Sequence, residues 1–495
     1  MDLTVLILLG SGLFLGWSLG ANDAANVFGT AVGTRMVRFG TAAAVCSIFV
    51  ILGAVIGGAG AAHTLGKLGS IDAIGGSFMA ALAAAMTVYG MTRSGLPVST
   101  SQAIVGAIIG WNWFSNSVTD TQVLLTIVFT WLACPILAGF IAVALFKLVE
   151  SILNRANLHL LRLDAYTRVA LIGAGAFGAY SLGANNIANV MGVFLPVNPF
   201  TDFALTEQFT LTSVQQLFLM GSIAIAVGVF TYSKRVMLTV GNELMPMSPI
   251  SAWVVVVSHS IVLFLFSSQG LEHALAQAGL PTIPLVPVSS SQAVIGAVIG
   301  LGLLKGGRNV RWGVLSEIGT GWLVTPFLSA ALCFVGLFFL QNVFNQQVYK
   351  PLRFELMPQV IERMSEQGVP QAAYADLVGE SFESSSALLK AMEKRTPLTR
   401  QQVRTVIDNA KIHHIEITEA RLSSYDFGRL SDVQRQALAR LTGQQFQHAW
   451  AFADALAEIS PQWQRLPATV ENRIYNKRLD EDLAYLARAF ENDAQ

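Results

Sequence analysis

The sequence predicts an all-α polytopic membrane protein made of two repeats, followed by a soluble α-helical C-terminal domain. Three observations lead to this prediction. Of the 495 residues, 53% are hydrophobic and only 13% are charged, against roughly 25% charged residues in an average soluble protein. Long apolar runs recur as far as residue 340, and three distinctive stretches of the first half return in the same order in the second half. From about residue 345 onward, charged residues become frequent.

The apolar runs define the membrane-spanning part. A helix needs about 20 predominantly apolar residues to cross a bilayer. Runs of this kind lie at about 3–17, 40–62, 72–90, 123–149, 168–181, 213–232, 250–268 and 310–340. Met1 and Asp2 lead straight into the first run without a basic region, so we expect no cleavable signal peptide. All three cysteines lie inside apolar runs, which predicts core residues and neither disulfides nor a metal site.

The repeats are visible in three pairs of matching stretches. SLGANDAANVFG at 18–29 returns as SLGANNIANVMG at 181–192, and LPVSTSQAIVGAIIG at 96–110 returns as VPVSSSQAVIGAVIG at 286–300. Trp131-Leu132 with Pro135 returns as Trp322-Leu323 with Pro326. We therefore predict one repeat at 1–147, a linker at 148–167 and a second repeat at 168–342. The first two stretches are farther apart in the second half, which indicates an insertion there. Duplicated hydrophobic segments that glycine or proline interrupts are typical of transporters with a site near the bilayer midplane.

The first matched stretch suits a cation. Irregular backbone within the hydrocarbon is tolerated only where protein buries it or where it lines a wet cavity. We expect Gly20–Asp23 to unwind there and to expose carbonyl and carboxylate oxygens to a hard cation, above all Na⁺. Small residues in membrane helices often serve close packing alone. Asp23 favours a ligand site instead, because ionisable residues inside a membrane are costly and usually functional.

The second matched stretch suits an anion. Pro97 fits the first turn of a helix, and Ser99, Thr100 and Ser101 follow it. Serine and threonine hydroxyls together with free backbone N–H groups at a helix N-terminus form a ready anion site. The apolar run after Pro97 has only about 14 residues, too few to span the bilayer comfortably. We therefore predict a re-entrant hairpin in each repeat, with two hairpin tips that face each other and enclose an anion.

These motifs resemble the signatures of the inorganic phosphate transporter (PiT) family. The resemblance covers the membrane part, about 340 residues, and not the tail. It implies two inverted repeats with broken helices and re-entrant hairpins, in a secondary transporter that moves inorganic phosphate with Na⁺ or H⁺ as the coupling ion. No further cofactor is implied.

The resemblance also implies binding residues by motif position. The anion-binding residues would be Asn22, Ser99, Thr100, Ser101, Gln102, Asn185, Ser289, Ser290, Ser291 and Gln292. The cation-binding residues would be Asp23, Asn26, Asn186 and Asn189. The family often has an aspartate where Asn186 stands, so this chain has one charge fewer, and the number of coupled cations stays open.

Other functions compete with coupled phosphate transport. A sulfate permease of the same fold stays open, because sulfate shares the tetrahedral shape of phosphate. A passive anion channel is a further alternative, but it has no use for a cation-binding carboxylate. An enzyme is not predicted: the G-x-G-x-x-G pattern at 173–178 lacks the acidic residue and the βαβ context of a dinucleotide site. Glu317 fits either a water-facing helix end or a proton relay.

The tail, 345–495, carries 18 of the 31 lysines and arginines. Thr399 with Gln402 and Ser431 with Gln434 fit capping boxes, which predict helix starts. His413 and His414 are adjacent and would point about 100° apart on a helix, so we expect no shared metal.

The sequence leaves the location of the tail open. The cations of the linker favour a cytoplasmic linker and hence external termini, whereas Lys350 and Arg353 favour the opposite. We expect a multi-pass protein of the plasma (inner) membrane with the lipid bilayer as its environment. A formal net charge of zero implies no nucleic-acid partner, and a homo-oligomer stays open.

Overall fold

The computed structural model describes residues 3–69, 71–93, 98–156, 159–206, 209–243, 247–307, 310–424, 430–469 and 471–492. The first half contains α1 (Leu3–Gly33), α2 (Phe39–Gly57), α3 (Ala59–Leu68), α4 (Ile74–Arg93), α5 (Thr100–Phe114) and α6 (Thr121–Ala156). The second half contains α7 (Leu160–Met191), β1 (Phe203–Thr206), β2 (Phe209–Leu211), α8 (Ser213–Thr231), α9 (Ser233–Glu243), α10 (Pro249–Ser267), α11 (Gln269–Gln277), α12 (Ser290–Leu304) and α13 (Trp312–Asn342). We call residues 3–342 the membrane part, and we keep the name tail for the C-terminal domain predicted at 345–495, of which the structure describes residues as far as 492.

Seven described helices are long and apolar enough to cross a membrane, which confirms the polytopic prediction. They are α1, α2, α4, α6, α8, α10 and α13. The eighth predicted run, 168–181, lies in α7, which has 32 residues. This helix is long enough to span but less apolar, because it carries Arg162, Asp164 and Arg168 near its start and three asparagines near its end.

The prediction that Gly20–Asp23 unwinds is wrong. Helix α1 continues through this segment without interruption, and α7 continues through the matching one. Two features keep them helical: asparagine side chains rather than main-chain groups supply the polar contacts, and glycines leave room for neighbouring backbones. A Cβ on Gly20 would lie 2.0 Å from the carbonyl oxygen of Ile225 in α8, and one on Gly183 would lie 2.1 Å from that of Val50 in α2.

The chain is non-helical just before α5 and α12, where the tips were predicted. Helix starts occur at Thr100 and Ser290, while Pro97 itself lies outside the described residues. Each of the two helices has 15 residues, which gives a length of about 22 Å. That is shorter than the roughly 30 Å of bilayer hydrocarbon. We call α5 and α12 the tip helices.

Each tip helix packs against the last long helix of the other half of the membrane part. Helix α5 contacts α13, and α12 contacts α6. A Cβ on Gly106 would lie 2.1 Å from the carbonyl oxygen of Pro326, and one on Gly296 would lie 2.1 Å from that of Pro135. The duplicated prolines therefore mark the positions where the tip helices approach the long helices most closely.

The insertion predicted in the second half is visible in two places. Between α7 and α8 the chain forms a 3₁₀ helix (Gly192–Val197) and the antiparallel pair β1–β2, whereas residues 34–38 alone join α1 to α2. Helix α11 and the extended segment 280–289 then precede the second tip helix.

The tail consists of short helices and two short strand pairs. Its elements are β3 (Phe354–Glu355), α14 (Pro358–Glu366), β4 (Ser381–Phe382), α15 (Ser385–Glu393), α16 (Arg400–Ala410), β5 (Ile415–Glu416), α17 (Glu419–Ser424), α18 (Asp432–Ala439), β6 (Gln445–Phe446), α19 (Ala449–Ile459) and α20 (Arg473–Phe490). Both predicted capping boxes form, at α16 and α18. The prediction of helices alone omitted the pairs β3–β4 and β5–β6. Such two-residue strands are too short to show a period-two pattern in the sequence.

The tail contains a duplication that was not predicted from the sequence. Phe354 pairs with Phe382 in β3–β4, and Ile415 pairs with Phe446 in β5–β6. Just before the second strand of each pair a glycine has positive φ, 84° at Gly379 and 86° at Gly443. Each glycine N–H donates to the residue after the first strand, Leu356 O at 2.8 Å and Ile417 O at 2.7 Å. Two separate apolar clusters surround the two strand pairs.

A chain that ends at Pro351 is expected to remain folded, whereas one that ends at Leu340 is expected to be much less stable. Val348 is 1% exposed within the apolar core of the membrane part, and its carbonyl accepts a hydrogen bond from Trp111 Nε1 at 2.9 Å. The shorter chain leaves this buried N–H unpaired, which costs about 1–3 kcal/mol. Truncation at Pro351 removes partly exposed ion pairs such as Arg404–Asp120, which contribute little to stability. Thermal midpoints of the purified proteins in detergent test this prediction, and equal midpoints for the two chains would contradict it.

Candidate anion and cation site

The carboxylate of Asp23 lies at the contact between α1 and α7. Its side chain is 3% exposed. Oδ1 accepts a hydrogen bond from Asn22 Nδ2 at 2.9 Å, and Oδ2 accepts one from Asn186 Nδ2 at 3.0 Å. Asp23 is therefore held by one amide from each half of the membrane part.

Asn186 extends this network within the second motif. Its Oδ1 accepts hydrogen bonds from Asn185 Nδ2 at 2.9 Å and from Asn189 Nδ2 at 3.0 Å. An aspartate at this position would lose the amide that donates to Asp23 and would place two carboxylates within hydrogen-bond distance. The amide at 186 thus satisfies one oxygen of Asp23 without a second negative charge.

Each tip helix begins with a serine N-cap. The side chain of Ser99 accepts a hydrogen bond from Gln102 N at 3.3 Å, and that of Ser289 accepts one from Gln292 N at 3.3 Å. Asn185 fixes the residue before the second cap, because its Nδ2 donates to Val288 O at 2.8 Å and its Oδ1 accepts from Val288 N at 3.0 Å. Both helices therefore direct the positive ends of their dipoles into the region between the motifs.

Hydrogen bonds also connect each asparagine motif to the tip of the other half. Asn26 Nδ2 donates to Ser290 Oγ at 2.9 Å, and Asn189 Nδ2 donates to Ser101 Oγ at 2.8 Å. The hydroxyl of Ser101 in turn donates to Val288 O at 3.0 Å. The structure therefore brings motifs more than 80 residues apart in the chain into one polar cluster.

Several polar atoms of this cluster are buried without a hydrogen-bond partner among the described residues. They are Thr100 Oγ1, Gln102 Oε1, Asn189 Oδ1 and Gln292 Oε1, together with Nδ1 of His259. Buried polar groups are normally paired, so unpaired ones need an explanation. A hydroxyl can donate to an anion, and an amide oxygen can either accept from the O–H of a protonated anion or coordinate a hard cation such as Na⁺. The residues present therefore fit both ions that the sequence predicted.

All fourteen predicted binding residues are buried. The contacts above join most of them, and Ser291 Oγ lies 3.2 Å from Ser289 Oγ. His259 of α10 also belongs to the cluster, although it was not predicted from the sequence; its Nε2 lies 2.9 Å from Ser290 Oγ. A polar side chain in an apolar run, SHS at 258–260, was the signal available for it.

Other candidate residues lie outside the cluster. Glu317 is exposed near the start of α13, which agrees with the water-facing alternative. Gly175 of the G-x-G-x-x-G pattern lies inside α7 against the ring of Phe28, so this glycine serves helix packing. His413 Nδ1 contacts Glu491 Oε1 at 3.1 Å. Among the described residues no group of three or more metal-ligating side chains occurs.

Comparison with known proteins agrees with this geometry. A sequence model described as the phosphate transporter family matches residues 19–167, 157–333 and 280–437. The chain belongs to the phosphate transporter family. The third match extends into the tail, beyond the membrane part to which we expected the resemblance to be confined. Because the family is one of transporters and the spans are present, the protein is a multi-pass integral membrane protein, and family membership supports phosphate transport.

Individual relatives cover the membrane part of this family member. A predicted phosphate permease of Methanocaldococcus jannaschii is 27% identical over 335 residues, which are 68% of this chain and 97% of the relative. A sulfate permease of Bacillus subtilis is 28% identical over 329 residues, 65% of this chain and 84% of the relative. A solved structure titled the sodium-dependent phosphate transporter matches with a TM-score of 0.54 and 24% identity, over 68% of this chain and 100% of that one. At this identity the last comparison supports the fold alone.

Proposed function

We propose that this protein is a secondary transporter that moves inorganic phosphate together with Na⁺ or H⁺ across the plasma membrane. The observation that carries the proposal is the position of Asp23. Its buried carboxylate lies between the two halves, in the same polar cluster as the N-termini of both tip helices. The fourteen residues named by motif position would divide into anion and cation ligands as the sequence predicted.

Charge balance supports coupling to cations. A phosphate dianion beside Asp23 would place three negative charges together in a buried cluster. No lysine or arginine is among the buried residues that the structure describes. An uncompensated buried charge is prohibitively costly, and helix N-termini each contribute only about half a positive charge. At least two monovalent cations would therefore have to accompany the dianion.

The packing supports an inverted-repeat architecture, which is also part of this proposal. The contacts of the first half return in the second: α1 with α8 and α7 with α2, α5 with α13 and α12 with α6. The end of α5 lies beside the tail, where Trp111 contacts Val348. The end of α12 lies beside the start of α10, where Lys305 Nζ donates to Ser251 Oγ at 2.9 Å. The matching helices α5 and α12 therefore end on opposite sides of the membrane part, as an inverted repeat requires.

Sulfate is the second candidate substrate, because a sulfate permease is among the relatives. The two anions differ in the proton: phosphate species near neutral pH carry O–H donors, and sulfate carries none. A buried acceptor such as Gln102 Oε1 or Gln292 Oε1 would remain unpaired with sulfate. A site built to accept a ligand O–H can reject the analogue that lacks it by up to about 10⁴-fold.

Uptake into proteoliposomes tests the proposal. Labelled phosphate is expected to accumulate above equilibrium when a Na⁺ or H⁺ gradient is imposed, and to equilibrate only when neither is present. Equilibration without accumulation under both gradients would indicate a channel. A tenfold excess of unlabelled sulfate is expected to leave most uptake intact. Inhibition by sulfate as strong as that by unlabelled phosphate would contradict the phosphate assignment.

The tip serines are expected to determine anion affinity. Replacement of Ser99, Ser101, Ser289 or Ser291 by alanine is expected to weaken binding by about 1–3 kcal/mol wherever it leaves a buried group unpaired. Ser222→Ala is the matched control, because Ser222 is also fully buried but donates only to Leu219 O of its own helix. The apparent KM for phosphate measures the effect. Unchanged KM in all four variants would show that the tips pack against helices and do not hold the anion.

The distribution of positive charge supports an external tail. In the membrane part, the helix ends and connections on the face opposite the tail carry the described cations Arg35, Arg38, Arg93, Lys147, Arg155, Arg162, Arg168, Lys234, Arg235, Lys305 and Arg311. On the tail face of the membrane part the described cation is Lys67, at the end of α3. An excess of lysine and arginine marks the cytoplasmic side.

Labelling of introduced cysteines tests this orientation. All three native cysteines are buried and give little background. A membrane-impermeant maleimide is expected to label Ser365→Cys, an exposed position in α14, on cells with an intact plasma membrane. Ser151→Cys, exposed near the end of α6, is expected to react only after permeabilisation. The reverse pattern would place the tail in the cytoplasm.

A further inference from the structure

The hydroxyl of Ser290, at the second tip, has two side-chain partners. Its oxygen lies 2.9 Å from Asn26 Nδ2 and 2.9 Å from His259 Nε2. A serine hydroxyl has one proton to donate and two lone pairs that accept. Asn26 can only donate through its amide nitrogen and therefore uses one lone pair. Whether His259 Nε2 donates or accepts decides whether the Ser290 proton is free to donate to an anion.

The two neutral tautomers of His259 lead to opposite results. If Nε2 carries the proton, it occupies the second lone pair, and the Ser290 proton is left to donate to an anion. If Nε2 is bare, it takes the Ser290 proton, and Ser290 can then offer only a lone pair, which repels an anion oxygen. The tautomer is set by the hydrogen bond that the other ring nitrogen makes.

The surroundings of the imidazole favour the first tautomer. His259 is fully buried, and its Nδ1 has no hydrogen-bond partner among the described residues. Orphaned buried N–H groups are rarer than unsatisfied acceptors, so the proton belongs on Nε2, where Ser290 accepts it. Neighbouring side chains do not compete for the ring, because Ser258 and Ser260 donate to Val254 O and Val256 O of their own helix.

We infer that His259 is a positioning residue of the anion site: it donates to Ser290 and thereby turns the Ser290 hydroxyl into a donor to the anion. His259 does not itself contact the anion. The first tip is built differently, since Thr100, which matches Ser290 in the repeat, has a buried hydroxyl without a partner among the described residues. The two tips therefore bind one tetrahedral anion unequally, with an oriented donor at the second tip and a freely rotating one at the first.

The inference rests on the proposed function for the presence of an anion site, but its test does not need transport. Binding of inorganic phosphate and of sulfate to the purified full-length protein, in detergent with Na⁺ present, is measured by calorimetry or by thermal stabilisation. His259→Leu is expected to raise the Kd of both anions about tenfold, the effect of one lost hydrogen bond. His259→Gln offers an amide N–H at the distance of Nε2 and is expected to keep the Kd within about twofold. His259→Asn, whose amide corresponds to Nδ1, is expected to behave like leucine.

A double-mutant cycle separates positioning from general structure. In a Ser290→Ala background, His259→Leu is expected to change the Kd by less than about twofold, because the group on which it acts is gone. In a Thr100→Ala background it is expected to keep its full tenfold effect. An equal effect of His259→Leu in both backgrounds, or a wild-type Kd in His259→Leu, would overturn the inference. If the leucine variant does not fold, the comparison of His259→Gln with His259→Asn decides, and equal affinities of those two overturn it.

The outcomes separate this inference from the proposed function. If the anion Kd values show the predicted coupling between His259 and Ser290 but no gradient drives uptake, the result would contradict coupled transport and support the role of His259. Normal gradient-driven uptake without coupling between His259 and Ser290 would support coupled transport and contradict the role of His259. A wild-type protein that binds neither anion would overturn the inference.

Discussion

Asp23→Asn is expected to abolish concentrative phosphate uptake while the protein still inserts and folds. The substitution removes the one negative charge of the asparagine network, and with it the group that would hold a coupling cation. It also replaces one acceptor oxygen by an NH₂ group. That group would face either Asn22 Nδ2 or Asn186 Nδ2, which now lie 2.9 and 3.0 Å from the carboxylate oxygens. A donor facing a donor loses a hydrogen bond, so the network would also be weakened.

Uptake driven by a Na⁺ or H⁺ gradient measures this effect, alongside equilibrium exchange in the absence of a gradient. Asp202→Asn is the matched control: Asp202 is also buried, at 7% exposed, and its Oδ1 accepts from Ser213 N at the start of α8. We expect that variant to retain gradient-driven uptake. Wild-type accumulation by a well-inserted Asp23→Asn protein would refute the role of this carboxylate. At Asn186 we expect a milder effect on coupling, because no charge is lost there.

Gly296→Ala is expected to eliminate transport and to lower stability. The added Cβ would lie 2.1 Å from the carbonyl oxygen of Pro135, which is backbone and cannot move aside. Overpacking of this kind costs typically about 1–3 kcal/mol. Relief requires that α12 move away from α6, and such a movement would carry Val288 out of reach of Asn185 and Ser290 out of reach of Asn26. Gly106→Ala is expected to have the same effect at the first tip, where Pro326 O lies 2.1 Å from the added atom.

The control for these variants is Gly173→Ala in α7, where an added Cβ has nothing within 4 Å. Alanine is preferred over glycine inside a helix by about 1 kcal/mol, so this variant is expected to equal or exceed the wild type in stability. Thermal midpoints in detergent and initial rates of uptake measure both properties. A Gly296→Ala protein with wild-type rate and midpoint would show that the tip helix tolerates displacement.

The sequence alone determined the membrane class, the duplication and the identity of the polar motifs. Apolar runs near 20 residues specify spanning helices because the bilayer core has a fixed thickness. Asp23 and the asparagines stood out because polar groups are costly in hydrocarbon, and Pro97 with the serines after it indicated a helix N-terminus, because the signals of a helix start are local interactions within about four residues. The capping boxes at Thr399 and Ser431 were predictable for the same reason.

Only the tertiary structure decided how these motifs meet. From the sequence we predicted that the backbone unwinds at Gly20–Asp23, because no hydrogen-bond partner for the polar side chains was evident. In the structure Asn186 and the tip of the other half supply those partners, and α1 remains helical. His259 was missed for the same reason, since a histidine in an apolar run acquires meaning from Ser290, 31 residues away. Hydrogen bonds between distant segments depend on packing, which no local pattern encodes. Composition and local rules therefore fixed which residues are polar and helical, and long-range packing fixed which of them form one site.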